Sequence, residues 1–215
     1  MHLQNEVMPA EISPPRRATF VTLATMKLIS INVATAKTLH TLDGQAVLSG
    51  IAKRPVGGRV EVGPLGLQGD EQVDLSVHGG LSKAVYAYPS EHFAFWQTVR
   101  AQAKVADWQA VLAPGAVGEN LSLSGLLEKE VWIGDRLRFA DCELLVSEPR
   151  YPCFKFNAVM GFSKAVKLMS ESAWCGFYLA VQTPGTLEAG ESFELVAGPR
   201  EVSITELFRS KLRRH

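Results

Sequence analysis

The sequence has few cysteines and no excess of either charge, and both features narrow its function. Only three cysteines occur in 215 residues, and their spacing matches neither a zinc site nor a disulfide framework. Twenty-two basic residues balance 22 acidic ones, which argues against a general nucleic-acid-binding protein. We therefore expect a reducing, cytoplasmic compartment and no nucleic-acid polymer as a partner.

Long hydrophobic runs are also missing. No apolar stretch is long enough to span a bilayer, so no membrane partner is expected. Arg16 and Arg17 precede a short apolar run, but this run contains threonines and ends near Lys27, and export is not expected. Residues 1–25 are typical of a flexible leader, and Met26 is an alternative start because the first convincing strand follows it.

Short strands separated by turns dominate the remaining sequence. Residues 27–34 alternate in part and are rich in β-branched side chains, which predicts a strand. No internal repeat, P-loop or Rossmann fingerprint is present. The pattern predicts a mostly β fold with a few helices, in which the strands form a closed or nearly closed β-barrel. Further strands are predicted at residues 46–51, 59–62, 131–139, 143–147, 176–182 and 192–196, and helices at 91–101 and 164–170, with Ser90 and Ser163 as their N-caps.

The chain end has the pattern of a basic helix. Ser203 and Glu206 have the spacing of a capping box, which predicts a helix within residues 201–215. Such a short helix is not stable alone and must dock on the rest of the protein or on a partner. We therefore expect one barrel domain over residues 26–200, followed by this helix.

The segment 148–156 contains the most informative cysteine. Cys153 lies just after two prolines, which favour extended backbone and predict a stiff, irregular turn rather than a helix. Arg150 and Lys155 flank it, and nearby cations favour the thiolate, the form that attacks electrophiles or binds metals. The alternative is a small buried hydrophobic residue among aromatic neighbours.

Three glycine-containing polar loops, each next to a hydrophobic strand, predict a ligand pocket. Backbone amides beside glycines can bind an anion, and nearby basic side chains would suit a ligand with a phosphate and a polar ring. Each residue also has an ordinary structural role open to it, such as an Asx turn at Asp70, but their combination favours a pocket. A hydrolase that uses Cys153 and His78 is another alternative, although no nucleophile signature supports it. The candidate residues are Asp70, His78, Gly79, Gly80, Lys83, Glu119, Asn120, Arg150, Cys153 and Lys155.

The order of these motifs along the chain resembles the MOSC domain family, in particular its YiiM-like branch, over residues 26–200. The matching motifs are Gly69-Asp70, His78-Gly79-Gly80 with Lys83-Ala84-Val85-Tyr86, Gly118-Glu119-Asn120-Leu121, Ile133-Gly134-Asp135, and Pro149 to Lys155. Two positions depart from the pattern, because Ala180 replaces an expected arginine and Trp174-Cys175 a more polar pair. The C-terminal helix would be the remnant of a longer helical module.

The resemblance implies a β-barrel that binds the molybdenum cofactor, with Cys153 as the metal ligand and catalytic residue. Asp70, His78 and Asn120 would bind the pterin, and Arg150 and Lys155 its phosphate or the thiolate. It implies reduction of small N-hydroxylated compounds, such as 6-hydroxylaminopurine, with electrons from an external flavoprotein or iron–sulfur protein. Open alternatives are a cofactor carrier, a persulfide sulfur carrier on Cys153 and a homodimer. The resemblance also implies binding of pyridoxal phosphate as an alternative cofactor.

Overall fold

The structure is a computed structural model that describes residues 25–73 and 79–213. The predicted leader, except for Thr25, and the predicted site residue His78 lie outside the described residues. Within the described ranges, no helix has the length and apolar character needed to cross a membrane.

Thirteen strands and four α-helices, joined by loops and three short 3₁₀ helices, make up the described chain. The strands are β1 (Lys27–Val33), β2 (Lys37–His40), β3 (Ala46–Ser49), β4 (Arg54–Val56), β5 (Arg59–Gly63), β6 (Gly66–Leu67), β7 (Val85–Pro89), β8 (Leu121–Ser124), β9 (Arg136–Arg138), β10 (Glu143–Pro149), β11 (Phe177–Thr183), β12 (Gly185–Glu188) and β13 (Glu194–Val196). The helices are α1 (Phe93–Gln102), α2 (Phe154–Met160), α3 (Ala165–Ser172) and α4 (Ile204–Leu212), and the 3₁₀ helices are Leu81–Lys83, Ser90–His92 and Glu128–Glu130.

Eight strands form one mixed sheet in the order β13-β9-β10-β11-β7-β8-β1-β4. All neighbours are antiparallel except β7 and β8. Lys27 at the start of β1 forms an antiparallel bridge with Ser192, just before the edge strand β13. The sheet therefore curls back towards itself, but among the described residues no strand ladder joins β13 to β1 or β4, so it forms an incomplete barrel rather than a closed one. The prediction of a mostly β fold with a few helices is confirmed.

The core fills the barrel and the space under the helices. Strand β7 lies between β11 and β8, and all five of its residues are buried. Several polar side chains are also buried in the interior: Ser30 donates to Asn32, Asn32 donates to Ser122, and Ser122 donates to Glu119, with distances from 2.8 to 3.1 Å. Since buried polar groups are costly without partners, this continuous chain of hydrogen bonds is what makes a polar interior tolerable.

Three local predictions are corrected by the structure. Helix α2 begins directly after Cys153, so the cysteine segment is not an irregular turn throughout. Pro152 is compatible with this helix because it lies before the first helical residue, where a missing amide hydrogen costs nothing. Neither Ser90 nor Ser163 caps a helix with its side chain: Ser90 begins a 3₁₀ helix and the N-cap of α3 is Lys164.

Helix α4 docks on the barrel. Its capping box forms as predicted, since the Ser203 hydroxyl accepts from the Glu206 amide and the Glu206 carboxylate accepts from the Ser203 amide. Ile204 and Phe208 are fully buried. The Phe208 ring stacks on Tyr151 with a centroid distance of 5.3 Å. The helix therefore supports the segment that carries Cys153, two residues further along the chain.

Candidate active site

A cleft with an internal volume of about 100 Å³ opens where several loops between strands converge. Its wall combines six of the ten predicted site residues, although they come from four separate parts of the chain. Gly79, Gly80 and Glu119 do not line it. The six are Asp70, Lys83, Asn120, Arg150, Cys153 and Lys155.

Cys153 lies at the N-cap position of helix α2 with extended backbone angles (φ −122°, ψ 173°). Its side chain is a free thiol of intermediate exposure that faces the cleft. The helix is anchored by Phe156 and Met160, which are fully buried and one turn apart. This anchoring fixes the position of the sulfur, and the alternative of a buried, inert Cys153 does not apply.

Arg150 is a buried cation at the back of the cleft, with 4% exposure. Its guanidinium lies 4.9 Å from the centroid of the Phe156 ring and 5.5 Å from that of Tyr86, and it donates to the Met169 sulfur at 3.2 Å. No carboxylate of residues 25–73 or 79–213 forms an ion pair with it. A buried charge without a protein counterion is costly, which favours an anionic ligand beside it.

The pKa of Arg150 shows that this charge persists. Burial alone would lower the pKa, but the acidic neighbours Tyr86, Tyr178 and Cys153 outweigh burial, and the pKa is raised. Tyr86 and Tyr178 are direct partners across the β7–β11 ladder, and both line the cleft. The two strands therefore hold the aromatic wall against which the guanidinium packs.

Two lysines at the mouth of the cleft are held by weaker contacts. The Lys83 ammonium lies 3.7 Å from a carboxylate oxygen of Glu148 and 5.9 Å from the centroid of the Tyr178 ring. The Lys155 ammonium donates to the backbone carbonyl of Leu48 at 3.2 Å. Both lysines are partly exposed, so a ligand in the cleft can compete for these ammonium groups.

Asp70 and Asn120 form the opposite wall, and internal contacts hold both. Oδ1 of Asp70 accepts from the Ala34 amide at 2.9 Å and from the Lys53 ammonium at 2.5 Å, while Oδ2 accepts from Asn120 at 2.9 Å. The Asn120 side chain also accepts from the Tyr86 amide at 3.0 Å. Their hydrogen-bonding capacity is largely used within the protein, so they shape the cleft more than they offer free groups to a ligand.

Glu119 lies behind the wall and is fully buried. Its carboxylate accepts from the amides of Gly115 and Val117 and from the hydroxyl of Ser122. Burial raises its pKa to about 7, although these hydrogen bonds oppose the shift. Glu119 is therefore an interior residue that stabilises the loop between Gly115 and Asn120. Gly80 has a structural contact too, since its amide donates to the Gln72 side chain at 2.9 Å.

Lys53, Gln72, Tyr86 and Tyr178 line the cleft but were not predicted as site residues. The tyrosines have the ordinary appearance of core strand residues, and Lys53 lies in a turn that resembles any exposed loop. Lys53 brings the charged side chains in the described wall to four cations and two carboxylates, Asp70 and Glu71. This excess of positive charge favours an anionic ligand. Of the two departures from the family pattern, neither Ala180 nor the Trp174-Cys175 pair lines the cleft.

A second, larger cavity of about 490 Å³ lies between α4 and the start of β11. Its wall holds His92 and Glu128, which are buried and joined by a hydrogen bond of 2.9 Å. Glu128 also accepts from the Gly176 amide at 2.8 Å, and Trp174 stacks on the His92 ring at 4.5 Å. Because these groups bond to one another and no predicted site residue of the described ranges lines this cavity, the cleft beside Cys153 remains the candidate site.

The family model of the MOSC domain matches residues 74–194, just over half of the chain, and the chain belongs to this family. Its relatives place it in the YiiM-like branch. Protein YiiM of Escherichia coli strain K12 is 36% identical over 176 residues, which cover 82% of this chain and 75% of that protein. The uncharacterized protein YflK of Bacillus subtilis strain 168 is 35% identical over 178 residues, which cover 82% of this chain and 76% of that protein.

Solved structures agree with this assignment. The crystal structure of YiiM from Geobacillus stearothermophilus superposes with a TM-score of 0.69 at 32% identity, covering 88% of this chain and 85% of that one. The crystal structure of YiiM from Escherichia coli gives a TM-score of 0.62 at 28% identity, covering 86% of this chain and 74% of that one.

A protein of Gibberella moniliformis named Reductase is 32% identical over 164 residues, which cover 73% of this chain but only 27% of that longer protein.

Proposed function

We propose that this protein is a molybdenum-cofactor-dependent oxidoreductase that reduces N-hydroxylated compounds, such as hydroxylaminopurines, to amines. The observation that carries the proposal is that the sulfur of Cys153 and the buried guanidinium of Arg150 face the same open cleft. A soft sulfur ligand next to a buried cation that pairs with no carboxylate of residues 25–73 or 79–213 suits a ligand that combines a redox-active metal with a phosphate. The three free cysteines suit a reducing compartment, which we propose is the cytoplasm.

The residues present fit this cofactor. Cys153 would bind the metal, because its thiol is free and faces the cleft. Arg150 would bind the phosphate, with Lys155 and Lys83 as additional charges near the mouth. Asp70 and Asn120, held by their internal hydrogen bonds, would keep the wall rigid against the pterin. When bound, the cofactor supplies two-electron redox chemistry at the metal.

The protein would supply position, charge and protons. Reduction of a hydroxylamine consumes two electrons and two protons and yields an amine and water. The described residues contain no group that could provide the electrons, since their three cysteines are dispersed and no His, Cys, Asp and Glu cluster could hold a metal ion. An external flavoprotein or iron–sulfur protein would therefore act as the donor.

Pyridoxal phosphate is a poorer match to the cleft. It would require a lysine that is free to form a Schiff base. Lys53, the buried lysine of the described cleft wall, is paired with Asp70, and Lys83 and Lys155 lie at the mouth, while pyridoxal phosphate would leave the Cys153 sulfur without a role.

The proposal is tested with protein produced in a host that makes the cofactor. Molybdenum is measured by elemental analysis and the pterin by the fluorescence of its oxidised form. Reduction of 6-hydroxylaminopurine is then followed with a chemical electron donor. Cys153→Ser should lose molybdenum and turnover, whereas the matched change Cys142→Ser should retain both, because Cys142 is buried away from the cleft.

Each other outcome has a defined meaning. Undiminished turnover in Cys153→Ser contradicts the mechanism. Bound pterin without turnover with any donor identifies a cofactor carrier. A sulfur atom added to Cys153 after treatment with a sulfur donor, detected by mass spectrometry, identifies a sulfur carrier.

A further inference from the structure

Lys53 lies in the cleft wall just before strand β4, yet no sequence motif identifies it. Its ammonium is 2.5 Å from Oδ1 of Asp70, and the two side chains are only 9% and 4% exposed. The pair is therefore largely withdrawn from water but borders the space in which a ligand would bind. A buried ammonium at a ligand site is the usual arrangement of a lysine that gives up its proton.

The carboxylate partner of Lys53 is held in place. Asp70 accepts one further hydrogen bond from the Ala34 amide and one from Asn120. With donors on both oxygens, Asp70 remains an acceptor that positions the ammonium. The Lys53 side chain therefore has a fixed direction, which proton transfer to a bound substrate requires.

The surroundings of Lys53 lower the pKa of its ammonium group. Burial lowers its pKa from the ordinary value of 10.5, and the nearby carboxylates Asp70 and Glu119 only partly offset this effect. The other charged groups of the described wall are Glu71, Lys83, Arg150 and Lys155.

The guanidinium of Arg150 and the two tyrosine hydroxyls of the cleft are less suited to donate a proton. The pKa of Arg150 is raised, so its proton is retained. The Tyr86 hydroxyl already donates to the Cys175 carbonyl at 2.9 Å, and burial raises its pKa well above the ordinary value. Burial also raises the pKa of Tyr178.

We propose that Lys53 is a catalytic residue, the proton donor to the oxygen that leaves when the N–O bond of a hydroxylamine breaks. This inference rests on the proposed function and adds a named acid to it. An external flavoprotein or iron–sulfur protein supplies two electrons, and the N–O bond is reduced. One proton passes from Nζ of Lys53 to the leaving oxygen, and the second comes from solvent to the nitrogen, so that an amine and water form. Lys53 then recovers a proton from water that enters the open cleft.

Chemical rescue in the cofactor-loaded protein tests this role. Lys53→Ala should lower kcat by about 10²–10⁴-fold, the usual contribution of a general acid. Methylammonium should restore part of the rate, and 2-fluoroethylammonium, a stronger acid, should restore more at equal occupancy. Tetramethylammonium carries the same charge without a transferable proton and should restore nothing. Rescue by tetramethylammonium equal to that by methylammonium would overturn the proposal, because it would assign Lys53 a purely electrostatic role.

A second variant covers the case in which Lys53→Ala does not fold. Lys53→Arg keeps the positive charge but holds its proton at neutral pH. It should leave KM within about threefold of the wild-type value and still lose most of kcat. The control is Lys167→Ala, because Lys167 is an exposed lysine of α3 that pairs with Glu171. This control should neither lose activity nor respond to amines.

Failure of this inference can be distinguished from failure of the proposed function. Wild-type protein without molybdenum, pterin or turnover contradicts the proposed function itself. Wild-type turnover that Lys53→Arg retains in full contradicts only the role of Lys53. Retention of normal molybdenum and pterin content in Lys53→Arg is expected, since Lys53 is not placed on the cofactor.

The cofactor-free protein offers a test without activity. Lysines are dimethylated with ¹³C-formaldehyde, and the Lys53 signal is identified by its absence from Lys53→Arg. It should titrate below the surface lysines, and Asp70→Asn should lower its midpoint further, because the carboxylate that favours the ammonium is lost. Titration together with the surface lysines would overturn the proposal.

Discussion

Asp70 and Asn120 lie 50 residues apart in the sequence and are joined by a hydrogen bond of 2.9 Å in the cleft wall. The same Asn120 amide group donates to the Asn32 carbonyl at 3.2 Å, and its oxygen accepts from the Tyr86 amide at 3.0 Å. One buried side chain therefore links strands β1 and β7 to the loop that carries Asp70. The geometry of the cleft depends on this connection.

Asn120→Ala should destabilise the protein by about 3 kcal/mol. The change removes three hydrogen bonds and leaves the buried Tyr86 amide and Asn32 carbonyl without these partners, and each loss of this kind costs about 1–3 kcal/mol. The free energy of unfolding is measured by urea denaturation. Asn157→Ala is a matched control that removes one hydrogen bond, to the Val166 amide at the start of α3. An equal loss in both variants would contradict the linking role of Asn120.

Glu119 should make stability fall as pH rises towards neutrality. Burial raises its pKa from 4.5 to about 7 in the folded protein. Between these values the folded state retains a proton that the unfolded chain has lost, so the folded state is favoured at low pH and this advantage disappears as pH rises through about 7. From the shift, the loss amounts to about 3 kcal/mol.

The comparison of wild type with Glu119→Gln isolates this effect. The difference in unfolding free energy between them should change by about 3 kcal/mol from about pH 4.5 to about pH 7 and stay constant above that. Glu171→Gln, a change at an exposed carboxylate that pairs with Lys167, serves as the reference for surface charge. A flat difference curve for Glu119→Gln would show that Glu119 is ionised throughout this range.

The predicted residues that line the cleft share one property: they lie in short motifs whose order along the chain is distinctive. Cys153 and Arg150 are three residues apart, and the cations and prolines around them are visible without a structure. Lys53 has no such context, because its importance arises only when folding brings it to Asp70. The fold decides which segments far apart in sequence come into contact. The local sequence around Lys53 therefore does not predict its pairing with Asp70.

Helix α2 illustrates the same limit on local reasoning. The two prolines before Cys153 indicated extended backbone for the residues that precede them, and Cys153 itself has extended angles at the N-cap. The helix begins at the next residue because Phe156 and Met160 can be buried one turn apart against the core. Tertiary packing therefore decided the conformation of a segment whose sequence favours a turn.

Arg150→Met should weaken the binding of inorganic phosphate to the cofactor-free protein by at least about tenfold, because a charge-assisted hydrogen bond contributes about 1.5–3 kcal/mol. Binding is measured by isothermal titration calorimetry at low ionic strength. Arg136→Met is the control, since Arg136 is half-exposed and pairs with Glu143 outside the cleft. Equal phosphate affinity in wild type and Arg150→Met would exclude Arg150 as the anion site.

Gly176 should tolerate no side chain. It has a φ of +63°, and an added Cβ would collide with the Ala87 carbonyl and come within 2.8 Å of the Tyr86 ring. The positive φ costs an alanine about 1 kcal/mol, and overpacking adds about 1–3 kcal/mol, so Gly176→Ala should lose about 3 kcal/mol of unfolding free energy. Phosphate affinity should fall as well, because Tyr86 packs against the guanidinium of Arg150.

Gly58→Ala separates the two contributions at Gly176. Gly58 has a similar φ of +76° but has open space around the position of a Cβ. Its substitution should cost only the backbone term of about 1 kcal/mol and leave phosphate binding unchanged. If both alanine variants lose the same stability in urea, backbone strain alone explains the requirement for glycine. Contact between Gly176 and the tyrosine wall would then have no part in shaping the cleft.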